Sequence, residues 1–498
     1  MLTTVTLDAP IIDDHRVTFS WNVEPSSTLY ERDTTFYLQF PDDVDCRAIP
    51  ERLWWFVAFT CLHSHWLLLR PCRIVIPVAL AEGESEFWLR LMDSEIVTLE
   101  AHRGTRFFDR CIEIIEGDVV LPQFVSMPDR GICACAFSGG KDSLLQAALL
   151  NELVDELILV TTTSPMAPHE DHVTPRRRYV LSESSRRLDA RLVEVTSNYR
   201  GLWGLGYAAN LGYPLAVCEM SDMFLYFVSL LVSAVALGAT HLFLASEAEV
   251  QANAASEAGV VQMTHFAYST ITQQALQSLL APLGIVYCSL TSPLHNNQVQ
   301  RLLWSRYAGV CELQYSCWLV KTNEAACSAC SQCLRVAMTA LEAGGDPGRM
   351  GIDLSKLFRA TRDWRPKHAQ PGRAQPNDVI TADLSDQMVY NIRSVSTWRL
   401  LSTLLRRDIR NVFTISTWTA VVWYAHLRLR VADHPPTRRP GYRAGFLRLV
   451  DELCRERAGA IYAAAFDAEP MSAYAPILAR NAEAVEYIRE PLLQKSRA

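Results

Sequence analysis

From residue 131 onward the chain keeps returning to short, largely apolar stretches: 133–137 (CACAF), 156–161 (ELILVT), 191–195 (RLVEV), 241–245 (HLFLA) and 284–289 (GIVYCS). Helical patterns at 143–153 and 223–239 intervene. A strand that is apolar on both sides needs cover on both sides, and alternation with helices supplies it. The pattern predicts an α/β fold, a parallel doubly wound sheet with helices on both faces. Ligands of such sheets sit beyond the carboxyl ends of the strands.

The chain has 498 residues, more than one core comfortably uses, and predicts two or three units. Residues 1–130 mix strand-like alternation (16–21, 34–40, 73–78) with apolar helical stretches and read as an N-terminal α+β domain. Residues 131–345 carry the α/β pattern. A turn at 344–351 (GGDPGRMG) opens a helical domain, 346–498, with helices expected near 354–364, 383–410, 414–430, 443–466 and 476–489, and a linker at 364–378.

Hydrophobic residues make up 49% of the chain and charged residues 20%, the balance of a globular protein, and the net charge of -7 carries no whole-chain sign of nucleic-acid binding. Charge is uneven, however. Residues 356–457 hold 19 Lys and Arg against 9 Asp and Glu, which is either a surface for an anionic partner or a set of solvated helix faces. The apolar runs 54–69 and 223–239 read as buried helices, not membrane spans. Residues 1–16 have neither the basic nor the apolar region of a secretory signal, so a reducing, cytoplasmic setting is expected. Most of the 14 cysteines, Cys133 and Cys135 among them, should then be small core residues.

Immediately after the first apolar stretch stands Ser138-Gly139-Gly140-Lys141-Asp142-Ser143. The two glycines permit a tight turn with inward amides, and the helix that follows adds the positive end of its dipole. Ser138 and Ser143 can donate to phosphate oxygens, Lys141 can supply charge, and Asp142 can hold Mg2+. The spacing is not that of Walker A. An ordinary glycine-containing strand-to-helix turn is the plainer alternative. The six residues resemble the SGGxDS signature of the PP-loop ATP pyrophosphatases, which implies ATP as substrate, an adenine nucleotide alpha hydrolase-like core and cleavage to AMP and pyrophosphate.

A second cluster follows: Cys317, Cys327, Cys330 and Cys333, spaced C-x9-C-x2-C-x2-C. Four thiolates can close a tetrahedral Zn2+ shell as a structural knuckle. An iron–sulfur cluster and four buried free thiols are the alternatives, and Cys311 could replace Cys317.

Loop and cysteines in this order, with Arg335 two residues past the last cysteine, resemble the QueC-like branch, the 7-cyano-7-deazaguanine synthases of queuosine biosynthesis. The resemblance covers about residues 131–345. It implies an ATP-dependent ligase that adenylates 7-carboxy-7-deazaguanine or a related deazapurine acid and passes the acyl group to an amine. It also implies ATP on Ser138, Gly139, Gly140, Asp142 and Ser143, zinc on the four cysteines and in many members a homodimer, and Lys141 and Asp142 are the expected catalytic residues.

Three features depart from the pattern. The family's lysine near SPLHNN (292–297) is replaced by Asn296 or Asn297. The usual substrate stretch gives way to 245–259 (ASEAEVQANAASEAG), where Ser246 and Glu247 either face a substrate or cap a helix. The Gly-Tyr-Pro at 212–214 lies too early in the chain. The long flanks resemble the QueC-like proteins of bacterial anti-phage (Qat and CBASS) operons, where a macromolecular amine, a protein more than tRNA, is a plausible acceptor. A tRNA-thiolating PP-loop enzyme and a non-catalytic zinc scaffold are the alternative functions.

Overall fold

The computed structural model describes residues 2–27, 29, 34–69, 71–103, 111–122, 125–163, 175–199, 202, 216–248, 254–255, 261–262, 266–315, 325–361, 382–407, 410, 413–433 and 441–493. The strands are β1 (Thr3–Leu7), β2 (Ile11–Ile12), β3 (Arg16–Glu24), β4 (Thr35–Gln39), β5 (Cys72–Val75), β6 (Val78–Ala79), β7 (Ile112–Ile115), β8 (Val119–Val120), β9 (Ile132–Ala136), β10 (Glu156–Thr163), β11 (Arg191–Ser197), β12 (His241–Phe243), β13 (Ala254–Ala255), β14 (Val261–Gln262) and β15 (Val286–Cys288). The helices are α1 (Glu51–Leu67), α2 (Glu84–Arg103), α3 (Lys141–Leu153), α4 (Pro175–Arg187), α5 (Ala216–Ala236), α6 (Thr270–Leu280), α7 (Asn296–Ser305), α8 (Ser331–Ala343), α9 (Leu354–Ala360), α10 (Ala382–Ser394), α11 (Thr397–Arg407), α12 (Ile415–Arg430), α13 (Glu452–Ala465) and α14 (Ala475–Leu493). The linker at 364–378 and the Gly-Tyr-Pro at 212–214 lie outside the described residues.

The five apolar stretches all form strands, paired in parallel in the order β15-β12-β9-β10-β11. In chain order this reads 5-4-1-2-3, so the winding reverses between β9 and β12, where a crevice opens at the carboxyl ends. Side chains alternate between two cores. Ala134, Ala136, Ile158 and Val160 face the core that contains α1 and α5, whereas Cys133, Cys135, Leu157 and Leu159 face the core that contains α3 and α13. Both faces are covered, as wholly apolar strands require.

The sheet does not stop at residue 130. β4 pairs antiparallel with β11 and carries the sheet on through β3, β1, β5 and β7, for eleven strands counting β2. Asn198 extends this join: its side chain accepts the Tyr37 N–H at 2.9 Å and donates to the Thr35 carbonyl at 3.1 Å. The apolar run 54–69 lies mostly in α1, where Leu53 to Leu67 are all buried. Its two histidines are matched internally, His63 to Glu95 at 3.3 Å and His65 to the Tyr199 hydroxyl at 3.0 Å. Among the described residues no helix is long and apolar enough to cross a membrane.

The C-terminal helices do not share one core. α9, α10, α11 and α12 pack with α8 in a separate helical core, where the Tyr424 hydroxyl donates to the carbonyls of Ile392 and Val395 at 2.8 Å. α13 lies on α3, and α14 lies on α2 and α6. One tie sits at the amino end of the sheet. His241, at the start of β12, is held by Asp451, the N-cap of α13, on one side and by Asp129 at 3.2 Å on the other.

The Asp451 hydrogen bond is the largest influence on His241. It outweighs burial, and with Asp129 it raises the imidazole above its ordinary value of 6.5. A raised folded value means the contribution is complete below 6.5 and is lost as pH rises through the folded value. His241→Asn should therefore cost about 2 kcal/mol on the acidic side of neutrality and progressively less at higher pH. Thermal melting of both proteins across pH 6 to 9 reads this as converging midpoints.

Candidate functional site

β9 ends at Ala136, and the loop that follows lies at the point where the strand order reverses. Gly139 has φ +81, a conformation that excludes most side chains, and a Cβ there would come within 3.0 Å of Val180 Cγ1. Its carbonyl accepts the Tyr315 N–H at 2.6 Å. Gly140 is the N-cap of α3 and offers no side chain to the first-turn amides. The Ser138 hydroxyl accepts the Gly140 N–H at 3.3 Å and lies 3.3 Å from Ser143 Oγ, which donates to the Gly140 carbonyl at 3.1 Å. Two hydroxyls and the open amide end of a 13-residue helix thus share one small loop, an arrangement suited to an anion.

Lys141 turns the other way. Its side chain is 2% exposed, and Nζ lies 2.6 Å from both Asp142 carboxylate oxygens and 2.7 Å from Glu247 Oε2. Glu247 comes from the segment that follows β12, the strand beside β9, and its Oε1 accepts from Asn296 Nδ2 at 2.9 Å. Ser246, one residue earlier, is tied into the backbone. Its N–H donates to the hydroxyls of Ser289 and Thr291, at 2.9 and 3.0 Å, and its own hydroxyl donates to the Tyr268 carbonyl at 2.7 Å. The structure therefore brings the 138–143 loop and Glu247 into one cluster. It gives Ser246 a backbone-bracing position beside them.

Two carboxylates around one buried ammonium cannot both ionise freely. Burial and then the neighbouring Glu247 charge push Asp142 well above the ordinary 3.8, against the opposing pull of Lys141. Burial also works against the Glu247 anion, but Lys141, a hydrogen bond from Asp142 and the Arg335 charge together hold Glu247 well below the carboxylate range. Burial opposes the Lys141 charge too, and Asp142 and Glu247 overcome it, so Lys141 stays protonated. Lys141 is therefore cationic, and of the two carboxylates Asp142 is the one pushed toward its protonated form. Asp142 also keeps 29% of its side chain exposed, at the rim of an otherwise sealed cluster.

Arg335 lies on α8, and the same helix starts at the cysteines. Cys330 is its N-cap, with Sγ accepting the Cys333 N–H at 3.4 Å. Ser328, at φ +52, bends the chain between Cys327 and Cys330, and its hydroxyl accepts the Asp353 N–H at 2.9 Å. The sulfurs of Cys327, Cys330 and Cys333 lie within 4.8 Å of one another. Cys327 and Cys333 are 3.7 Å apart, close to the edge of about 3.8 Å that a tetrahedron of 2.3 Å zinc–sulfur bonds would have. The three residues offer ligands to a metal such as zinc. Cys317 lies outside the described residues. Cys311 does not join the group: its thiol donates to the Ala308 carbonyl at 3.3 Å, and burial pushes it up to about 12.

Other polar residues of the crevice carry weaker sequence signals. Arg177, buried on α4, donates to the Thr161 hydroxyl and Thr162 carbonyl at the end of β10, both at 3.0 Å. Arg443 donates to the Ala248 carbonyl at 3.1 Å and to Glu469, which also meets His295 at 3.1 Å. Nothing in a local pattern marks an arginine 195 residues away as a brace for the Glu247 segment. No protein-family model matches this chain, and no curated protein matches it.

Two outcomes follow from this geometry. Lys141→Met leaves two carboxylates without their ammonium and should cost about 3 kcal/mol, whereas Glu247→Gln should cost less, because Asp142 can then ionise beside Lys141. Chemical denaturation of the two variants measures the asymmetry. Cys330→Ser and Cys333→Ser should each lower the bound metal from about one ion per chain to a small fraction of that, read by elemental analysis of the purified protein.

Proposed function

We propose that the 138–143 loop binds the phosphates of ATP in the manner of the PP-loop ATP pyrophosphatases, and that the protein is an AMP- and pyrophosphate-forming ligase of QueC-like type. The observation that carries this reading is placement. SGGKDS opens a helix at the carboxyl end of β9, beside β12, where the winding of the parallel sheet reverses. The substrate is a carboxylic acid, and by resemblance a deazapurine such as 7-carboxy-7-deazaguanine.

A carboxylate is a poor acyl donor because its oxygen is a poor leaving group. In the proposed reaction a carboxylate oxygen bonds to the α-phosphorus as the bond to pyrophosphate breaks. An amine then attacks the acyl carbon and AMP departs. The α3 amides and the hydroxyls of Ser138 and Ser143 hold the departing charge. Asp142, at the rim, is the residue that would hold Mg2+, whose chemistry is to neutralise pyrophosphate, and it must give up its proton to do so. Lys141 and Glu247 keep Asp142 and the first turn of α3 in place. Cys327, Cys330 and Cys333, with Cys317 as the expected fourth ligand, would hold a structural Zn2+ and so fix the start of α8, the helix that carries Arg335.

The core thiols offer no nucleophile for tRNA thiolation, which needs a reactive cysteine. Cys135 and Cys454 are buried and pushed up to about 12, and burial pushes Cys133 and Cys288 higher still. Thiols of that kind are poor nucleophiles. The acceptor amine is ammonia or a protein amine. The flanks suit an anti-phage role by resemblance alone.

Pyrophosphate release from ATP should depend on 7-carboxy-7-deazaguanine, and Asp142→Asn should lower it by about 100-fold or more with an unchanged circular dichroism spectrum. Because Asp142 is raised and works ionised, the acid limb of the rate profile should lie above 3.8. Release that ignores the acid, or survives Asp142→Asn, would remove the ligase reading.

A further inference from the structure

The helical core around Tyr424 buries one side of α12 and leaves the opposite side to solvent. Thr417, Ala420, Tyr424 and Leu427 point inward. Ile415 is 86% exposed, Val422 62% and Leu429 72%, with Trp418 at 47% between them. At 100° per residue these four fall within about 60° of arc, and they run about 21 Å along the helix. Their spacing is that of the first and fourth positions of a heptad, with Ala425 completing the row: Ile415, Trp418, Val422, Ala425, Leu429. Phe413, 87% exposed, extends the stripe at its amino end, and Trp398 on the neighbouring α11 is 72% exposed. An apolar stripe of this length, opposite a complete buried face, is not needed for folding.

The rim of the stripe says what kind of partner fits. α12 and the neighbouring α11, which carry the stripe and Trp398, hold five arginines (Arg399, Arg406, Arg407, Arg428 and Arg430) and no acidic residue. In the heptad that begins at Val422, His426 and Arg428 occupy the flanking positions, where coiled-coil partners meet charge to charge. A second copy of the chain would bring these two acid-free, arginine-bearing helices against themselves. An acidic helix would meet opposite charge on the rim and bury its own apolar row on the stripe.

We propose that the outer face of α12 is a docking surface for an acidic amphipathic helix of a partner protein. The inference stands on this face alone and holds whether or not the 138–143 loop binds ATP.

The test uses the full chain and three synthetic helical peptides of about 21 residues, each with the same Leu/Ile seam and with Glu, Gln or Lys at the flanking positions. Binding is read by fluorescence anisotropy of the labelled peptide at low and high salt. The Glu peptide should bind at least ~10-fold more tightly than the Lys peptide, with the Gln peptide between and the gap narrowing in high salt. Val422→Glu and Leu429→Glu, at exposed positions, should keep the melting temperature and weaken Glu-peptide binding by at least ~10-fold. Equal binding of the three peptides, no binding, or binding indifferent to Val422→Glu would overturn the proposal. Sedimentation showing a dimer that Val422→Glu dissolves would make a second copy the occupant instead. Capture by phosphatidylserine vesicles without peptide binding would make it a membrane surface. Either result overturns the acidic-helix partner.

Discussion

Burying charge is costly unless the charges answer one another, and in this protein the cluster of Lys141, Asp142 and Glu247 meets that condition. Lys141 starts the helix after the first core strand, and Glu247 lies in the segment that follows the fourth. Their contact ties the segments that follow β9 and β12 to each other. Asn296 fixes the far oxygen of Glu247, and Arg335 adds its positive charge nearby. Four segments from distant parts of the chain are thereby held to one position. The 138–143 loop, with its left-handed glycine and open amides, rests on that base.

The same logic extends outward through α7 and α8. The two helices are clamped by Arg301 and Glu342. Asn297 on α7 and Asn391 on α10 exchange amide hydrogen bonds at 2.7 and 3.0 Å, a buried pair that satisfies both side chains. The cysteines sit at the start of α8, and the core around Tyr424 packs along its length. A metal held by the cysteines would thus act on the same helix as the core behind them, and that helix carries Arg335, whose charge reaches Lys141 and Glu247. The C-terminal region belongs to the same construction, since Arg443 braces the Glu247 segment and His241 is gripped by the cap of α13.

Much of this was legible in the chain. Apolar stretches between helices announced the five parallel strands, because strands covered on both faces leave no room for polar alternation. The 138–143 motif and the closely spaced Cys327, Cys330 and Cys333 were visible because their geometry is local. Two glycines, a helix start and thiols three residues apart act within one turn of chain. Ser246 and Glu247 were legible only as a position at the end of a strand. Their opposite roles, one bracing backbone and one facing Lys141, depend on Ser289, Thr291, Tyr268 and Asn296, which no spacing rule connects to them.

By itself, then, the sequence determined the alternation of strands and helices, the anion-ready turn after β9 and a thiol set able to hold a metal, all through short-range geometry and periodicity. Tertiary structure alone decided the rest. It joined residues 1–130 to the parallel strands in one sheet through β4 and β11, and it spread the C-terminal helices over three cores. It also turned Lys141 inward to Glu247 and left Asp142 at the rim with its carboxyl pushed above the ordinary range. The physical reason is common to all four. Edge pairing, core sharing and the ionisation of buried groups depend on what lies opposite in space, and that is set only when residues a hundred or more positions apart meet.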